Sequence, residues 1–319
     1  MNFFIFTGSL ILSVVLCLFY KKLWALSYLN KKTPTGFGIT LILLLIIYAH
    51  YMQLPSVNLL IFLTILSFSI IYWIDDIRYL SSVIRFCIQF ICGALIGYFL
   101  LTYYNYDFSF NFYLIIILSG LLNLFLTNVI NFYDGLDLNI VTLILNISLI
   151  FLYLEFVMKV ENYYWALLGG YIIGFAVFNY FPNSIFFGDS GCYVLSSFMC
   201  FFIIQSFITQ SYTQLIIIVP LLIPILDVIY VICLRIYLRE SLLSRNYHHI
   251  YHKIESKFKN KLYLLPQIIN IIIIFLVSEL FIINLSNLWG VVFFLIMSIV
   301  ISMINYFFLR LYLSKQTNN

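Results

Sequence analysis

The polar residues in Asn128–Asp137 lie between two long apolar segments. This stretch reads Asn-Val-Ile-Asn-Phe-Tyr-Asp-Gly-Leu-Asp and holds two carboxamides and two carboxylates. Such groups are costly to place in an apolar environment, so packing alone explains them poorly. Asn128, Asn131 and Asp134 recur every three positions, which displaces each by about 60° around an α-helix. They can line one wall of a site if the helix tightens or ends there, as Gly135 would allow, while a loop rich in turn formers is the alternative.

A pair of carboxylates, Asp75 and Asp76, follows the apolar run Ile70–Ile74. Adjacent carboxylates repel each other, and this is tolerated when they share a divalent cation or a proton. If the helix continues, a polar stripe forms beside the pair within roughly 60° of arc, made of Arg78, Ser82, Arg85 and Gln89. A solvated helix cap with ordinary arginines is the alternative.

A third acidic position, Asp189, is flanked by glycines in Phe187–Gly191. Glycines on both sides let a phosphate or a metal come close to the backbone while the carboxylate reaches it. An N-cap formed by Asp189 or Ser190 for a following helix accounts for the same residues, and both interpretations can hold together.

Basic residues and histidines are concentrated in the segment 236–262. Drawn as a helix from Leu243 to Phe258, the segment has an apolar side and an opposite side, within roughly 100° of arc, that carries Arg245, His248, His249 and His252. This pattern suits a helix at the bilayer surface that offers Arg and His to an anion, and binding of acidic lipid is the alternative. The segment Lys31–Gly38 is also basic, and a phosphate-contacting loop or an ordinary cytoplasmic loop predicts similar residues there.

The composition excludes a soluble protein with one core. The chain has 319 residues, of which 64% are hydrophobic and 9% charged, and its mean hydropathy is +1.08. We expect a single all-α, polytopic membrane domain over 1–319. The first apolar segment lacks a basic n-region and a cleavage site, so we expect it to be a retained helix. About eleven segments are long enough to cross a bilayer, near 3–20, 37–51, 57–74, 83–101, 111–128, 138–157, 163–181, 191–209, 214–235, 263–283 and 288–309.

The distribution of charge predicts the orientation. When the loops alternate from side to side, all basic residues but Lys159 fall on one face, which the positive-inside rule makes cytoplasmic. The N-terminus is then outside and the C-terminus inside. The acidic candidates fall on the same cytoplasmic face, although acidic residues contribute little to orientation.

A net charge of +4 is too small to suggest a nucleic-acid partner. The six cysteines show no zinc spacing and are expected to pack as small apolar residues.

Taken in order, these stretches resemble the polyprenyl-phosphate N-acetylhexosamine-1-phosphate transferase superfamily, and in particular its branch that begins O-antigen chains. Thr33-Pro34-Thr35-Gly36 looks like the T-P-T loop of that family, and Asp75-Asp76 is similar to its Asp pair. Asn128–Asp137 follows N-x-x-N-x-x-D-G-x-D, with Leu138 where the family usually has glycine. The later matches are Gly188–Gly191 to the magnesium-binding G-D-x-G motif, Pro224–Asp227 to P-x-x-D, and His249–Tyr251 to H-x-Y.

The resemblance implies an enzyme that transfers the sugar-1-phosphate of a UDP-N-acetylamino sugar to undecaprenyl phosphate, releasing UMP. It implies a location in a bacterial inner (cytoplasmic) membrane and a place at the first membrane step of a cell-surface polysaccharide such as O-antigen. Mg²⁺ is the expected cofactor, with Mn²⁺ as a possible substitute, and a homodimer is one possible assembly. The implied metal ligands are Asp189 and Asp134. The implied catalytic residues are Asp75, Asp76, Asp134, Asp137 and His249, and the implied substrate-binding residues are Lys32, Thr33, Thr35, Asn128, Asn131, Arg245 and His252.

An ion-coupled secondary transporter with carboxylates at its cytoplasmic side is the alternative function. Its expected signs are spans broken by Gly or Pro near the midplane and two repeated halves. The sequence shows neither sign, since the acidic residues gather at one face.

Overall fold

The computed structural model of the protein describes residues 2–26, 33–78, 80–158, 164–180, 185–241, 247–258, 261–280 and 287–315. These residues form α-helices and two 3-10 segments, with no strand among them, which confirms the all-α prediction. The 3-10 segments are Tyr212–Leu221 and Lys261–Leu264. The α-helices are α1 Asn2–Leu26, α2 Ile39–Tyr51, α3 Ser56–Ile77, α4 Ser82–Tyr103, α5 Phe110–Tyr133, α6 Asn139–Met158, α7 Tyr164–Tyr180, α8 Gly188–Thr209, α9 Leu222–Tyr237, α10 Ile250–Phe258, α11 Leu265–Leu280 and α12 Leu288–Lys315.

The described helices include seven that are long and apolar enough to cross a membrane. A helix satisfies its backbone hydrogen bonds within the segment, which is what lipid requires of a spanning element. These seven and four shorter apolar helices coincide in position with the eleven predicted segments, so the polytopic prediction is confirmed. The number of spans that cross and their orientation stay predictions.

The helices group into two compact units, Met1–Ser211 and Tyr212–Asn319. In the first unit, α8 is the central helix, in contact with α2, α3, α4 and α5, while α1 and α6 pack on α7. In the second unit, α12 contacts α9, α10 and α11. The single domain over 1–319 stays a prediction.

The polar stripe predicted to continue from the Asp pair is wrong, because the helix ends before it. α3 stops at Ile77, Arg78 is extended (φ −134°, ψ 116°), and α4 begins anew at Ser82. The hydroxyl of Ser81 accepts a hydrogen bond from the amide of Ile84 at 3.4 Å, which is the N-cap arrangement that starts a helix. The Asp pair and Arg85 therefore lie on two different helices.

The helix predicted from Leu243 to Phe258 is wrong in its start. Among the described residues the helix is Ile250–Phe258, and residues 242–246, with Arg245, lie outside the described residues. Its first amide, that of Ile250, donates to the Asp227 carboxylate at 3.1 Å. The acceptor that starts this helix therefore comes from α9, and His249 precedes the helix instead of lying on its face.

Candidate functional site

The loop before α2 and the loop before α8 lie against each other, backbone to backbone. The amide of Gly38 donates to the carbonyl of Phe187 at 2.9 Å. Gly36 and Gly188 have φ of +82° and +81°, and a Cβ on Gly188 would lie 2.4 Å from the Gly36 nitrogen. The approach is too close for any side chain, so both positions require glycine. The T-P-T-like loop and the G-D-x-G-like loop thus form one structure.

Asp76 holds the start of α8 from a different helix. Its Oδ1 accepts from the amide of Asp189 at 2.9 Å, and its Oδ2 accepts from the amide and the hydroxyl of Ser190 at 3.1 and 2.8 Å. The hydroxyl of Thr35 also donates to Oδ1, at 3.4 Å. A carboxylate at a helix N-terminus satisfies amides that have no partner within the helix and meets the positive end of its dipole. The cap predicted from Asp189 or Ser190 is therefore supplied by Asp76.

Arg85 lies between two of the predicted carboxylates. Its Nη1 is 3.7 Å from Asp75 Oδ2 and 3.6 Å from Asp189 Oδ2. The side chain of Asp75 is 2% exposed, whereas that of Asp189 is 43% exposed. Asp75 also accepts a hydrogen bond from the amide of Leu80 at 2.6 Å. Asp189 is therefore the carboxylate of this group that a ligand can reach, and Asp75 is a buried partner of Arg85.

Asp134 ends α5 beside the first turn of α8. Its Oδ2 accepts from the Cys192 thiol at 3.5 Å. Burial raises the pKa of Asp134 well above its ordinary value, the hydrogen bond from Cys192 opposes this, and the charges of Asp189 and Asp76 raise it further. The carboxylates of α3, α5 and α8 are thus close enough to interact, as the sequence predicted.

The carboxamides differ in their surroundings. Asn128 donates to the Gln89 side chain at 2.9 Å and to the Leu124 carbonyl at 2.8 Å, so it joins α5 to α4. The Oδ1 atom of Asn131 is buried and has no hydrogen-bond partner among the described residues. An acceptor left in this state is costly unless a ligand or water reaches it. Asp137 lies half-buried in the turn that follows.

Leu138, not Gly135, is the left-handed residue of this turn. Its φ is +64°, while Gly135 is not among the residues with positive φ. The amide of Leu138 donates to Asn179 Oδ1 at 2.7 Å, which holds the turn against α7. A glycine at this position, as in the family that the sequence resembles, would adopt this conformation without steric cost.

The predicted histidines belong to the second unit. His249 is buried, with Nδ1 2.8 Å from Asp227 Oδ2. His252 lies 4.0 Å from Glu255 on α10, and His248 pairs with Glu240 at 3.1 Å. Lys32 and Arg245 lie outside the described residues, and Thr33 is exposed. The roles assigned to all these residues stay predictions.

The donor set of the first unit suits Mg²⁺. Mg²⁺ is usually held by one or two carboxylates together with water and substrate phosphate. Asp189 and Asp134 offer oxygens of this kind at adjoining helix ends. Within the described residues, no group of three His, Cys, Asp or Glu side chains is arranged to hold a metal ion, so a metal bound there would need ligands from outside the protein.

Sequence reasoning left several contacting residues out of the candidate site. Arg85 belongs to the predicted polar stripe beside the Asp pair, and the sequence assigns it no further role. A cationic residue in an otherwise apolar segment such as α4 is, however, itself a sign of function. Ser190, which the sequence offers only as a helix cap, donates to Asp76. Cys192, which is expected to pack as a small apolar residue, donates to Asp134.

These features define a polytopic helical membrane protein with an acidic site built from the ends of several helices. Residues 58–207 match the family model for Glycosyl transferase family 4, and this range includes each of the clustered aspartates. A protein of Methanocaldococcus jannaschii that carries the provisional name glycosyltransferase MJ1113 is 30% identical over 212 residues, which is 62% of this chain and 66% of the relative. The alignment thus spans slightly less than two thirds of that relative. Both matches support the predicted family of polyprenyl-phosphate sugar-phosphate transferases, to which this chain is similar.

Proposed function

We propose that the protein transfers the sugar-1-phosphate of a UDP-N-acetylamino sugar to undecaprenyl phosphate in a bacterial cytoplasmic membrane. The products are UMP and an undecaprenyl diphosphate sugar, the first membrane intermediate of O-antigen or a similar polysaccharide. The observation that carries the proposal is the gathering of Asp75, Asp76, Asp134 and Asp189 around Arg85 and the start of α8. The match to the family model over residues 58–207 supports a transferase over a transporter.

The reaction joins two anions. A phosphate oxygen of the lipid attacks the sugar-bearing phosphorus, and the bond from that phosphorus to the bridging oxygen breaks, so UMP leaves with the oxygen. The enzyme's task in such a transfer is to position the reactants and to stabilise negative charge. A bound Mg²⁺ would supply charge neutralisation at the diphosphate, and Asp189 with Asp134 would hold it.

The two neighbouring aspartates have separate roles in this proposal. Asp76 positions α8, and through it Asp189, because its carboxylate is occupied by Asp189 and Ser190. Asp75 fixes Arg85, which in turn faces Asp189. A phosphate monoester is already largely ionised at neutral pH, so the lipid phosphate can attack without a general base.

The remaining predicted residues would bind substrate. Asn131 has a buried acceptor suited to a nucleotide or sugar donor group, and Asn128 and Asp137 lie on the same helix end. Thr33 and Thr35 would contact phosphate from the loop before α2. Lys32, Arg245, His249 and His252 are also proposed to bind substrate.

The test is UMP release by purified protein given Mg²⁺, undecaprenyl phosphate and a panel of UDP-sugars, with lipid products read by mass. We expect UMP only when both substrates are present. Asp189→Asn should lower the rate on the order of 100-fold or more. The matched control is Asp107→Asn, an exposed aspartate between α4 and α5, which should keep the wild-type rate.

Two outcomes would contradict the proposal. If Asp189→Asn releases UMP at a rate within a few fold of wild type, Asp189 is not a ligand of the catalytic metal. Net uptake of sugar into sealed vesicles, with no lipid product, would favour transport.

A further inference from the structure

A buried polar cluster in the second unit lies outside the residues that the family model matches. Its centre is Asp227 on α9, which is 2% exposed. The carboxylate has four donors from two parts of the chain: His249 Nδ1 at 2.8 Å and the amide of Ile250 at 3.1 Å, and from α12 the hydroxyl of Tyr306 at 2.9 Å and Arg310 Nη2 at 2.5 Å.

Arg310 is held by its other nitrogens as well. Nε donates to the Tyr306 hydroxyl at 2.8 Å, and Nη1 donates to the carbonyl of His248 at 2.9 Å. The guanidinium also lies 4.3 Å from the centre of the Tyr230 ring, a cation–π distance. One side chain of α12 therefore fixes the carboxylate on α9 and the backbone beside His249.

Such a cluster is costly for a helix that crosses lipid. Arg310 is 8% exposed and follows a long apolar stretch of α12. Burying an ion pair removes both charges from water, and apolar residues of similar volume would often be as stable or more stable. A geometric task for the cluster explains why charges occupy this position.

The task follows from the proton on His249. A carboxylate accepts hydrogen bonds and has none to donate, so the proton between the two groups is on Nδ1. Nε2 then carries a lone pair when the ring is neutral and a second N–H when it is charged. The carboxylate cannot turn freely, because its Oδ1 accepts from Tyr306 and Arg310 while its Oδ2 faces His249.

We propose that Asp227, Tyr306 and Arg310 are positioning residues that set the tautomer and the ring orientation of His249, one of the residues proposed above to bind substrate. The part concerning substrate rests on the proposed function, while the tautomer does not. A brace that keeps the loop folded, with no effect on the imidazole proton, is the competing explanation.

The first test reads the tautomer directly. The chain has four histidines, so protein labelled with ¹⁵N-histidine has few ring signals, and His249→Gln identifies that of His249. At a pH about two units above the ordinary histidine pKa of about 6.5, we expect the Nδ1–H form. In Asp227→Asn, the amide oxygen still accepts from Arg310 and Tyr306, and the NH₂ group faces Nδ1 of His249. Because that NH₂ group is a donor, Nδ1 must accept, and the Nε2–H tautomer should replace the Nδ1–H tautomer.

The second test uses kinetics. Arg310→Met should lower kcat/KM about 10- to 100-fold and shift its pH profile, with partial recovery in Arg310→Lys. When His249→Gln is already present, Arg310→Met should lower kcat/KM little further, because the effects of coupled residues are not additive. His50→Gln is the control, since His50 is exposed at the end of α2 and has no role in the proposed function, and it should leave the His249 signal and kcat/KM unchanged.

The outcomes separate the two proposals. If wild-type protein releases no UMP from any UDP-sugar, the proposed function fails and the NMR test still decides the tautomer. If UMP release is normal but the tautomer and the pH profile survive Asp227→Asn, the positioning proposal is overturned. Should Asp227→Asn not fold, Tyr306→Phe removes one donor to the same oxygen, and an unchanged His249 signal and pH profile there would overturn the proposal as well.

Discussion

Asp76 precedes Ser190 by 114 positions, yet its carboxylate accepts hydrogen bonds from both the amide and the hydroxyl of Ser190, at 3.1 and 2.8 Å. The relationship makes α3 the source of the cap for the most buried helix of the first unit. It also separates the two neighbouring aspartates, because Asp75 contacts Arg85 instead.

The first prediction concerns this cap. Asp76→Ala should lower the free energy of unfolding by about 1–2 kcal/mol, since the first amides of α8 lose their acceptor. Asp76→Asn should also destabilise, because its NH₂ group would face an N–H donor on either side. Unfolding followed by tryptophan fluorescence in detergent measures both. Ser190→Ala, which removes one of the bonds, should cost less, and an Asp76→Asn protein as stable as wild type would contradict the role of the cap.

The second prediction concerns the ion pair between Arg85 and Asp75. Arg85→Met removes this cation from a carboxylate that is 2% exposed, and we expect a loss of about 1–3 kcal/mol in the free energy of unfolding. Adding Asp75→Asn should recover part of the loss, because the remaining buried charge is removed. Unfolding of the two single variants and the double variant measures the coupling, and strictly additive losses would show that the pair does not interact.

The third prediction concerns the backbone at Leu138. A left-handed conformation costs a residue with a side chain roughly 1–2 kcal/mol, so Leu138→Gly should unfold at a temperature equal to or above that of wild type despite its smaller side chain. Leu138→Val should unfold at a lower temperature, because a β-branched residue tolerates this φ poorly. Leu136→Gly is the control, since Leu136 is half-buried and is not among the residues with positive φ, and it should destabilise the protein.

The fourth prediction concerns pH. Since the pKa of Asp134 is raised in the folded protein, mainly by burial, the folded state keeps this proton at pH values where the unfolded chain has lost it. The free energy of unfolding should therefore fall as pH rises from about 4, the ordinary value, through the raised pKa. Asp134→Asn should flatten this slope and raise stability at neutral pH. Melting temperatures of wild type and Asp134→Asn, measured in EDTA across this pH range, test the prediction. The control Asp107→Asn should keep the wild-type dependence of stability on pH.

The sequence predicted the helices well and their ends less well. Apolar runs placed each long helix, because a segment in lipid must satisfy its own backbone. The segments near 57–74 and 83–101 are separate in the sequence, but it could not show that α3 stops at Ile77 and that α4 starts with the Ser81 cap, since the polar residues between the segments also fit a continuing helix. The first turn of α10 was misplaced for a related reason, because its acceptor is Asp227, on another helix.

The candidate site shows the same division. The motifs identified the aspartates and their gathering, but not the partners of each carboxylate. Tyr306 and Arg310 were outside the prediction because their contacts with Asp227 join positions 79 and 83 residues apart, respectively.

By itself, the amino-acid sequence determined a helical membrane protein, its resemblance to this transferase family and the acidic residues that gather in it, because hydropathy and short motifs are local properties of the chain. The tertiary structure alone decided that Asp76 caps α8, that Asp75 faces Arg85 and that Asp227 holds His249. Helix ends and buried charges must find partners, and in a packed bundle the nearest partner belongs to a helix distant in sequence.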